Sequence, residues 1–251
     1  MIRLAVFDLD GTLVNSLADL AAASNYGLRT LGFPEHPTEK FRYFVGNGVR
    51  KLCERVLPED AKEYADRQYA LFSEYYNTHY ADQTRPYPEI ESLLHRLKGE
   101  KIQLAVASNK TEVFTREIVE HFFGTALFDL VSGKIDGRPV KPDPAILQAA
   151  MEQFGATPAE TVMIGDSNVD IRTAKAAGTH SIGCIWGFRT AEELTEAGAE
   201  VAVEKFHAVL PGVFLRCGTD SLVILIETGQ QGGGKGLIAV LRRVPGRFLQ
   251  P

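Results

Sequence analysis

Short apolar runs alternate with longer, helically spaced apolar positions over most of this chain. The runs cover residues 3–7, 102–107, 161–164 and 181–185. Because each is short and followed by Gly or polar residues, each predicts a buried strand. The helical patterns cover residues 89–98, 111–123, 144–154 and 171–177, the last followed by Gly178 as a C-terminal cap. This alternation predicts an α/β fold with a Rossmann-like, three-layer parallel-sheet core.

Residues 15–83 break the alternation, because they contain helical patterns and no convincing strand. Ser16 is a candidate N-cap for a helix that ends at Leu31, and further helices are predicted over 49–57 and 60–80. We therefore predict an all-helical cap domain inserted after the first strand. The predicted organisation is core 1–14, cap 15–83, core 84–212 and an atypical tail 213–251.

The tail contains a flexible Gly-rich run at 229–236. Gly229, Gly234 and Lys235 have the spacing of a phosphate-binding loop, but Gly236 stands where a Ser or Thr would hold magnesium. We therefore do not expect nucleotide binding there. Residues 222–226 are a candidate edge strand or dimer contact, and the pattern does not favour either.

Composition and charge narrow the classes of partner. The 251 residues are 45% hydrophobic and carry a net charge of -5, which disfavours nucleic-acid binding but allows a small anionic substrate in a local pocket. A signal peptide and an apolar stretch of membrane-spanning length are both missing, so we expect no membrane partner and a cytoplasmic location. We expect a monomer or a homodimer.

Asp8 and Asp10 are the first candidate functional residues, since they follow the first predicted strand in Asp8-Leu9-Asp10-Gly11-Thr12. Residues two apart in extended chain point the same way, so the two carboxylates repel unless a cation joins them or one holds a proton. The pair is therefore compatible with a metal site, an acid/base pair, or a surface turn without function.

Further polar residues follow the other predicted strands. Ser108 and Asn109 follow one strand, Asp166 follows another with Asp170 four residues on, and Lys141 precedes Pro142. Parallel strands end at one edge of a sheet, where ligands bind. We expect Asp8, Asp10, Ser108 and Asp166 to meet in one crevice, with Lys141 as a candidate fifth member. Such a set can bind a cation and, through it, a phosphate.

These segments, in this order and spacing, resemble the four motifs of the haloacid dehalogenase superfamily over about residues 2–212. The resemblance implies that Asp8 is the nucleophile, forming an aspartyl phosphate, and that Asp10 is the general acid and base. It implies that Mg²⁺ is held by Asp8, the Asp10 carbonyl and Asp166. Further implied roles are support of the metal site by Asp170, phosphoryl binding by Ser108 and Lys141, and assistance by Thr12 and Asn109.

Segments 44–52, 108–110 and 185–189 resemble those of the phosphoglycolate phosphatases within that superfamily, which implies 2-phosphoglycolate as substrate. Arg50 would pair with its carboxylate, although Arg50 could instead lie on the solvent face of a helix. Asn15 stands where relatives often carry an aspartate. Phosphatases of sugar or amino-sugar-acid phosphates, a sugar phosphomutase and a non-catalytic binding protein remain as alternatives.

Overall fold

The computed structural model describes residues 1–204, and its centre is a parallel six-stranded sheet in the order β5-β4-β1-β6-β7-β8. The strands of this sheet are β1 (Leu4–Phe7), β4 (Gln103–Thr111), β5 (Leu130–Lys134), β6 (Thr161–Gly165), β7 (His180–Cys184) and β8 (Val201–Val203). Two further strands, β2 (Val14–Asn15) and β3 (Arg85–Pro86), form a separate antiparallel pair. The predicted α/β class with a parallel sheet is therefore confirmed.

The central strand β1 is buried on both faces because its side chains alternate between two hydrophobic clusters. Ala5 and Phe7 belong to one cluster, which includes residues of α5 (Ile90–Gly99) and α6 (Glu112–Phe123). Leu4 and Val6 belong to the other, with residues of α7 (Ala145–Phe154) and α8 (Asn168–Ala177). The period of two along the strand thus produces the three layers.

The helices between β2 and β3 have a hydrophobic cluster of their own, and we call residues 15–83 the cap, as predicted. The cap helices are α1 (Leu17–Leu31), α2 (Phe41–Phe44), α3 (Val49–Val56) and α4 (Ala65–His79). Phe41, Phe72 and Tyr76 are fully buried in this cluster, and Phe188 of the core also packs into it. The domain boundaries at 15 and 83 stay predictions.

Several predicted elements differ in detail from those observed. The helix predicted over 60–80 begins as a 3-10 segment, Glu59–Tyr64, before α4. Ser16 precedes α1 but makes no capping bond, since its hydroxyl donates to Asp10 at 2.6 Å. The side chain of Asn15 instead accepts from the backbone N–H of Leu17 at 3.4 Å.

Among the described residues, the strands β5 and β8 at the two edges of the six-stranded sheet and the helix α9 (Ala191–Ala197) were not predicted, and neither was the short β2–β3 pair. The predictions for residues 205–251, including the candidate strand at 222–226, lie outside the described residues. Within residues 1–204, no helix combines the length and the apolarity needed to cross a membrane.

Candidate active site

The candidate site lies where the chain order across the sheet reverses. From β1 the chain proceeds to β4 and β5 on one side and then to β6, β7 and β8 on the other. Loops leave the carboxyl ends of neighbouring strands in opposite directions at such a point, which opens a crevice. Asp8 follows β1 and Asp166 follows β6 at this crevice, so their predicted convergence has a structural cause.

Lys141 is the cation at the bottom of the crevice. Its Nζ lies 2.9 Å from Oδ1 of Asp8 and 2.6 Å from Oδ1 of Asp170, and its side chain is only 2% exposed. Burial disfavours the ammonium, but Asp170 and Asp8 more than offset it and raise the pKa of Lys141. The lysine therefore stays charged and joins two carboxylates.

Asp8 is held in an environment that disfavours its charge. Burial raises its pKa from 3.8 to about 7, and Lys141 opposes that rise without cancelling it. Burial, followed by the charges of Asp170 and Asp8, likewise raises the pKa of Asp166 well above its ordinary value. Both carboxylates are stabilised as anions by additional positive charge.

Asp166 is fixed by its neighbours. Its Oδ1 accepts from the Thr12 hydroxyl at 3.2 Å, and its Oδ2 accepts from the backbone N–H of Phe188 at 2.7 Å. Two glycines make room for it, since a Cβ at either Gly11 or Gly187 would lie 2.2 Å from an Asp166 atom. Thr12 thus contacts this carboxylate, and its predicted assistance at the substrate stays a prediction.

The acidic residues can hold a divalent cation. Carboxylate oxygens of Asp8, Asp166 and Asp170 lie within 4.8 Å of one another. Within residues 1–204, the Lys141 ammonium forms ion pairs with two of these three carboxylates, Asp8 and Asp170, so the carboxylates outnumber the ammonium group that contacts them. Oxygen ligands of this kind suit a hard cation. Asp170 also forms a capping box with Ser167, which fixes the start of α8.

Asp10 is held by two residues that the sequence analysis did not place in the site. Ser16 donates to its Oδ1, and Nζ of Lys110 lies 2.9 Å from each of its carboxylate oxygens. The Lys110 side chain is 1% exposed, and its Nζ also lies 5.0 Å from the centre of the Tyr76 ring in the cap. Its place beside Ser108 and Asn109 was the sequence signal for this role.

A bulge at the end of β4 brings three consecutive polar residues to the site. The register with β5 shifts between Ala107 and Thr111, which pair with Ser132 and Lys134. Three residues of β4 therefore stand opposite the single residue Gly133. Such a bulge bends the strand and redirects its side chains. Ser108, Asn109 and Lys110 are all buried there.

Asn109 connects the backbone of Lys141 in the core to the backbone of Gly46 in the cap. Its Nδ2 donates to the carbonyl of Lys141 at 2.9 Å and to that of Gly46 at 3.1 Å, and its Oδ1 accepts from the Lys141 backbone N–H at 2.9 Å. Both amide protons thus go to backbone carbonyls. Asn109, predicted to bind substrate, fixes Lys141 and the cap loop.

Arg50 is not brought to the site. Its guanidinium is 56% exposed, forms an ion pair with Asp66 and lies over the ring of Tyr69. The solvent-face alternative therefore describes its position in α3. The cap loop is held instead by Arg189 of the core, whose guanidinium donates to the carbonyls of Arg42 and of Val45, the latter at 2.9 Å.

A cleft between core and cap leads to the reactive groups. Its core side is polar, whereas its cap side presents aliphatic side chains and the backbone of a glycine-containing loop. The core side is formed by Asp8, Asp10, Ser108, Asn109 and Lys110, and the cap side by Leu20, Val45, Gly46, Gly48, Val49 and Leu52. Gly46 and Gly48 have φ values of 119° and 85°, which favour glycine.

Residues 5–184 match the family model described as haloacid dehalogenase-like hydrolase. The chain is 39% identical over 192 residues to the phosphoglycolate phosphatase of Neisseria meningitidis, covering 74% of this chain and 82% of that protein. It is 35% identical to the phosphoglycolate phosphatase of Psychrobacter arcticus, covering 83% of this chain and 94% of that protein.

Solved structures agree with the sequence relatives. A structure from Lactobacillus delbrueckii subsp. bulgaricus, described with the name phosphoglycolate phosphatase, superimposes with a TM-score of 0.79. It is 30% identical and covers 82% of this chain and 96% of its own.

The chain belongs to the haloacid dehalogenase-like hydrolase family. The predicted resemblance to its phosphoglycolate phosphatases is confirmed, as is the enzyme class of phosphoric monoester hydrolase.

Proposed function

We propose that this chain is a Mg²⁺-dependent phosphatase that hydrolyses 2-phosphoglycolate through an aspartyl phosphate on Asp8. The observation that carries the proposal is the meeting of Asp8, Asp10, Ser108 and Lys141 at one end of the sheet, with Asp166 beside them. Asp8 lines a cleft open to a small ester, and Lys141 lies 2.9 Å from it at the bottom of the crevice.

In the first half-reaction, a carboxylate oxygen of Asp8 attacks the phosphorus atom and the bond from phosphorus to the ester oxygen breaks. Asp10 gives a proton to that leaving oxygen. The Ser108 hydroxyl and the Lys141 ammonium bind the phosphoryl oxygens. In phosphoryl transfer most of the catalysis comes from such positioning and charge stabilisation.

In the second half-reaction, water attacks the phosphorus atom of the aspartyl phosphate. Asp10, now ionised, takes a proton from this water, and the bond between phosphorus and the Asp8 oxygen breaks. Inorganic phosphate leaves and both carboxyl groups return to their starting states. One residue serves first as acid and then as base, so its carboxyl must be held near the reacting oxygens throughout.

Asp8 and Asp166 would hold Mg²⁺ through their carboxylates, with the backbone carbonyl of Asp10, and Asp170 would support the site. When bound, the ion supplies positive charge to the phosphoryl oxygens and to the crowded acids. The excess of carboxylates over ammonium groups around Lys141 supports this assignment.

The choice of 2-phosphoglycolate rests on the named relatives and on the cleft. Leu20, Val45, Val49 and Leu52 face it from the cap side. A sugar bound there would place hydroxyl groups against aliphatic side chains, which costs free energy when they lose hydrogen bonds to water. A two-carbon leaving group has no such hydroxyl groups, and it is small enough to keep its carboxylate on the polar core side of the cleft. This supports the smaller substrate over a sugar phosphate.

The experiment is Mg²⁺-dependent phosphate release from a panel of esters that includes 2-phosphoglycolate, hexose phosphates and an aryl phosphate. We expect the highest kcat/KM for 2-phosphoglycolate and at least a thousandfold loss in Asp8→Asn. The matched control is Asp136→Asn, which changes a fully exposed acid. Full activity of Asp8→Asn would contradict the mechanism, and isomerised sugar phosphate without free phosphate would indicate a mutase.

A further inference from the structure

Lys110 is a buried cation that has no step of its own in the proposed reaction. Its side chain is 1% exposed and lies on the core side of the cleft, with Nζ 2.9 Å from each Asp10 oxygen. Burying an ion pair is costly and is often no more stabilising than an apolar pair of similar volume. Stability alone is therefore a weak reason for a lysine here.

The hydrogen bonds of the ammonium leave room for a ligand. A lysine Nζ carries three donors, and the two Asp10 oxygens accept two of them. The Tyr76 ring lies on the cap side of Nζ, 5.0 Å away at its centre. The Tyr76 hydroxyl also helps to stabilise the charge of this ammonium. Because Lys110 lines the cleft, its third donor can go either to that hydroxyl or to a ligand in the cleft.

The geometry of the ester brings a carboxylate to this donor. The ester oxygen lies next to Asp10, the residue that gives it a proton. In a 2-phosphorylated hydroxy acid the carboxylate is separated from that oxygen by one carbon, so their oxygen atoms are about 3 Å apart. An ammonium that touches both oxygens of Asp10 is therefore within reach of the carboxylate.

The other cations near the cleft are engaged by protein groups. Arg189 donates to the carbonyls of Arg42 and Val45 in the cap loop. Of the residues that line the cleft in the described part of the chain, Lys110 is the only Lys or Arg. Lys141 is committed to Asp8 and Asp170, and Arg50 is ion-paired with Asp66 on the exposed side of α3. A second negative charge on the substrate would otherwise face aliphatic side chains.

We propose that Lys110 determines specificity by binding the carboxylate of a 2-phosphorylated hydroxy acid while it holds Asp10. This inference rests on the proposed phosphatase function and identifies the residue that recognises the leaving group. It predicts that the enzyme distinguishes esters by the charge beside the ester oxygen.

The test compares 2-phosphoglycolate with ethyl phosphate, in which a methyl group replaces the carboxylate. In Lys110→Met we expect kcat/KM for 2-phosphoglycolate to fall roughly 10- to 100-fold further than kcat/KM for ethyl phosphate, as for loss of a charged hydrogen bond. An equal fall for both esters would mean that Lys110 acts only through Asp10, and would overturn the inference.

Two control variants separate the two roles. Ser16→Ala removes the other side-chain hydrogen bond to Asp10, so it should lower both activities in the same proportion. Lys51→Met changes a half-exposed lysine paired with Glu54 in α3 and should leave the ratio unchanged. A change in the ratio for Ser16→Ala as large as that for Lys110→Met would also contradict a specific role of Lys110.

A measurement on the wild-type enzyme applies even if Lys110→Met does not fold. Glycolate should inhibit hydrolysis of an aryl phosphate competitively and at least tenfold more strongly than glycolamide, its uncharged analogue. Equal inhibition would overturn the inference while leaving the phosphatase function intact. If the wild-type protein releases phosphate from none of these esters, the proposed function fails, and this inference fails with it.

Discussion

Replacement of Asp8 by Asn should change how the stability of the metal-free protein depends on pH. The folded state holds a proton on Asp8 with a pKa of about 7, against 3.8 ordinarily, chiefly because the carboxyl is buried. Since folding strengthens proton binding, the stability linked to this group is fully present below about pH 4. It is lost as the pH rises through about 7.

The pKa values set the size of the effect. A rise of about three units corresponds to roughly 4 kcal/mol between the two protonation states. This is an upper value, because the side chain is 13% exposed and its neighbours relax when it ionises. The asparagine in the variant cannot titrate, and its carbonyl oxygen can still accept from Lys141. Asp8→Asn should therefore become more stable than wild type by up to about 4 kcal/mol near pH 8.

Urea unfolding in EDTA from pH 4 to 8.5 measures this difference. Asp166 also has a raised pKa, chiefly through burial, and that part is present in both proteins. The charge of Asp8 adds to the rise, so the difference between the proteins contains Asp8 and a smaller change at Asp166. The exposed control Asp136→Asn should follow wild type at every pH. A wild-type minus variant difference that stays constant over this range would refute the burial argument.

Four further outcomes follow from contacts at the site and in the cap. Mg²⁺ should raise the Tm of the wild-type protein more at pH 8 than at pH 5.5, because protons compete with it for Asp8 and Asp166; equal shifts in calorimetry would contradict this. Asn109→Ala should lower kcat/KM about 10- to 100-fold, because it removes the hydrogen bonds that hold the Lys141 backbone. An unchanged kcat/KM would mean that these bonds are not needed to position Lys141. Asp19→Ala should reduce the free energy of unfolding by about 2–4 kcal/mol in urea, since donors of residues 83 and 84 lose their acceptor. Arg50→Ala should leave kcat/KM within about twofold, and a large, carboxylate-specific loss would restore its predicted role.

The core strands were predictable because their side chains are buried on both faces. Leu4 to Phe7 are all fully buried, so the sequence shows an uninterrupted apolar run. The two strands of the six-stranded sheet that were not predicted lie at its edges and have weaker hydrophobic patterns. β5 is half-buried throughout and contains Gly133 and Lys134, and β8 has only three residues. Edge position removes the burial that makes a strand visible in sequence.

The identities of the site residues were predictable, but several of their contacts were not. Ser16 has the residue type and position of an N-cap, and only the fold shows that Asp10 takes its hydroxyl. The place of Lys110 after Ser108 and Asn109 marks it in the sequence, but only the bulge and the Tyr76 ring show that it is enclosed. The backbone N–H of Phe188, which binds Asp166, has no signature in side-chain chemistry at all.

The two ends of the cap lie at one place. Val14 and Asn15 pair with Pro86 and Arg85, and the buried carboxylate of Asp19 accepts from Gln83 at 3.0 Å and from Thr84 at 2.8 Å. A segment that leaves and re-enters at a single point can be exchanged without moving the strands on either side. A different cap joined at this point would therefore change the cap side of the cleft, while Lys110 and the groups of the phosphoryl chemistry stay in the core.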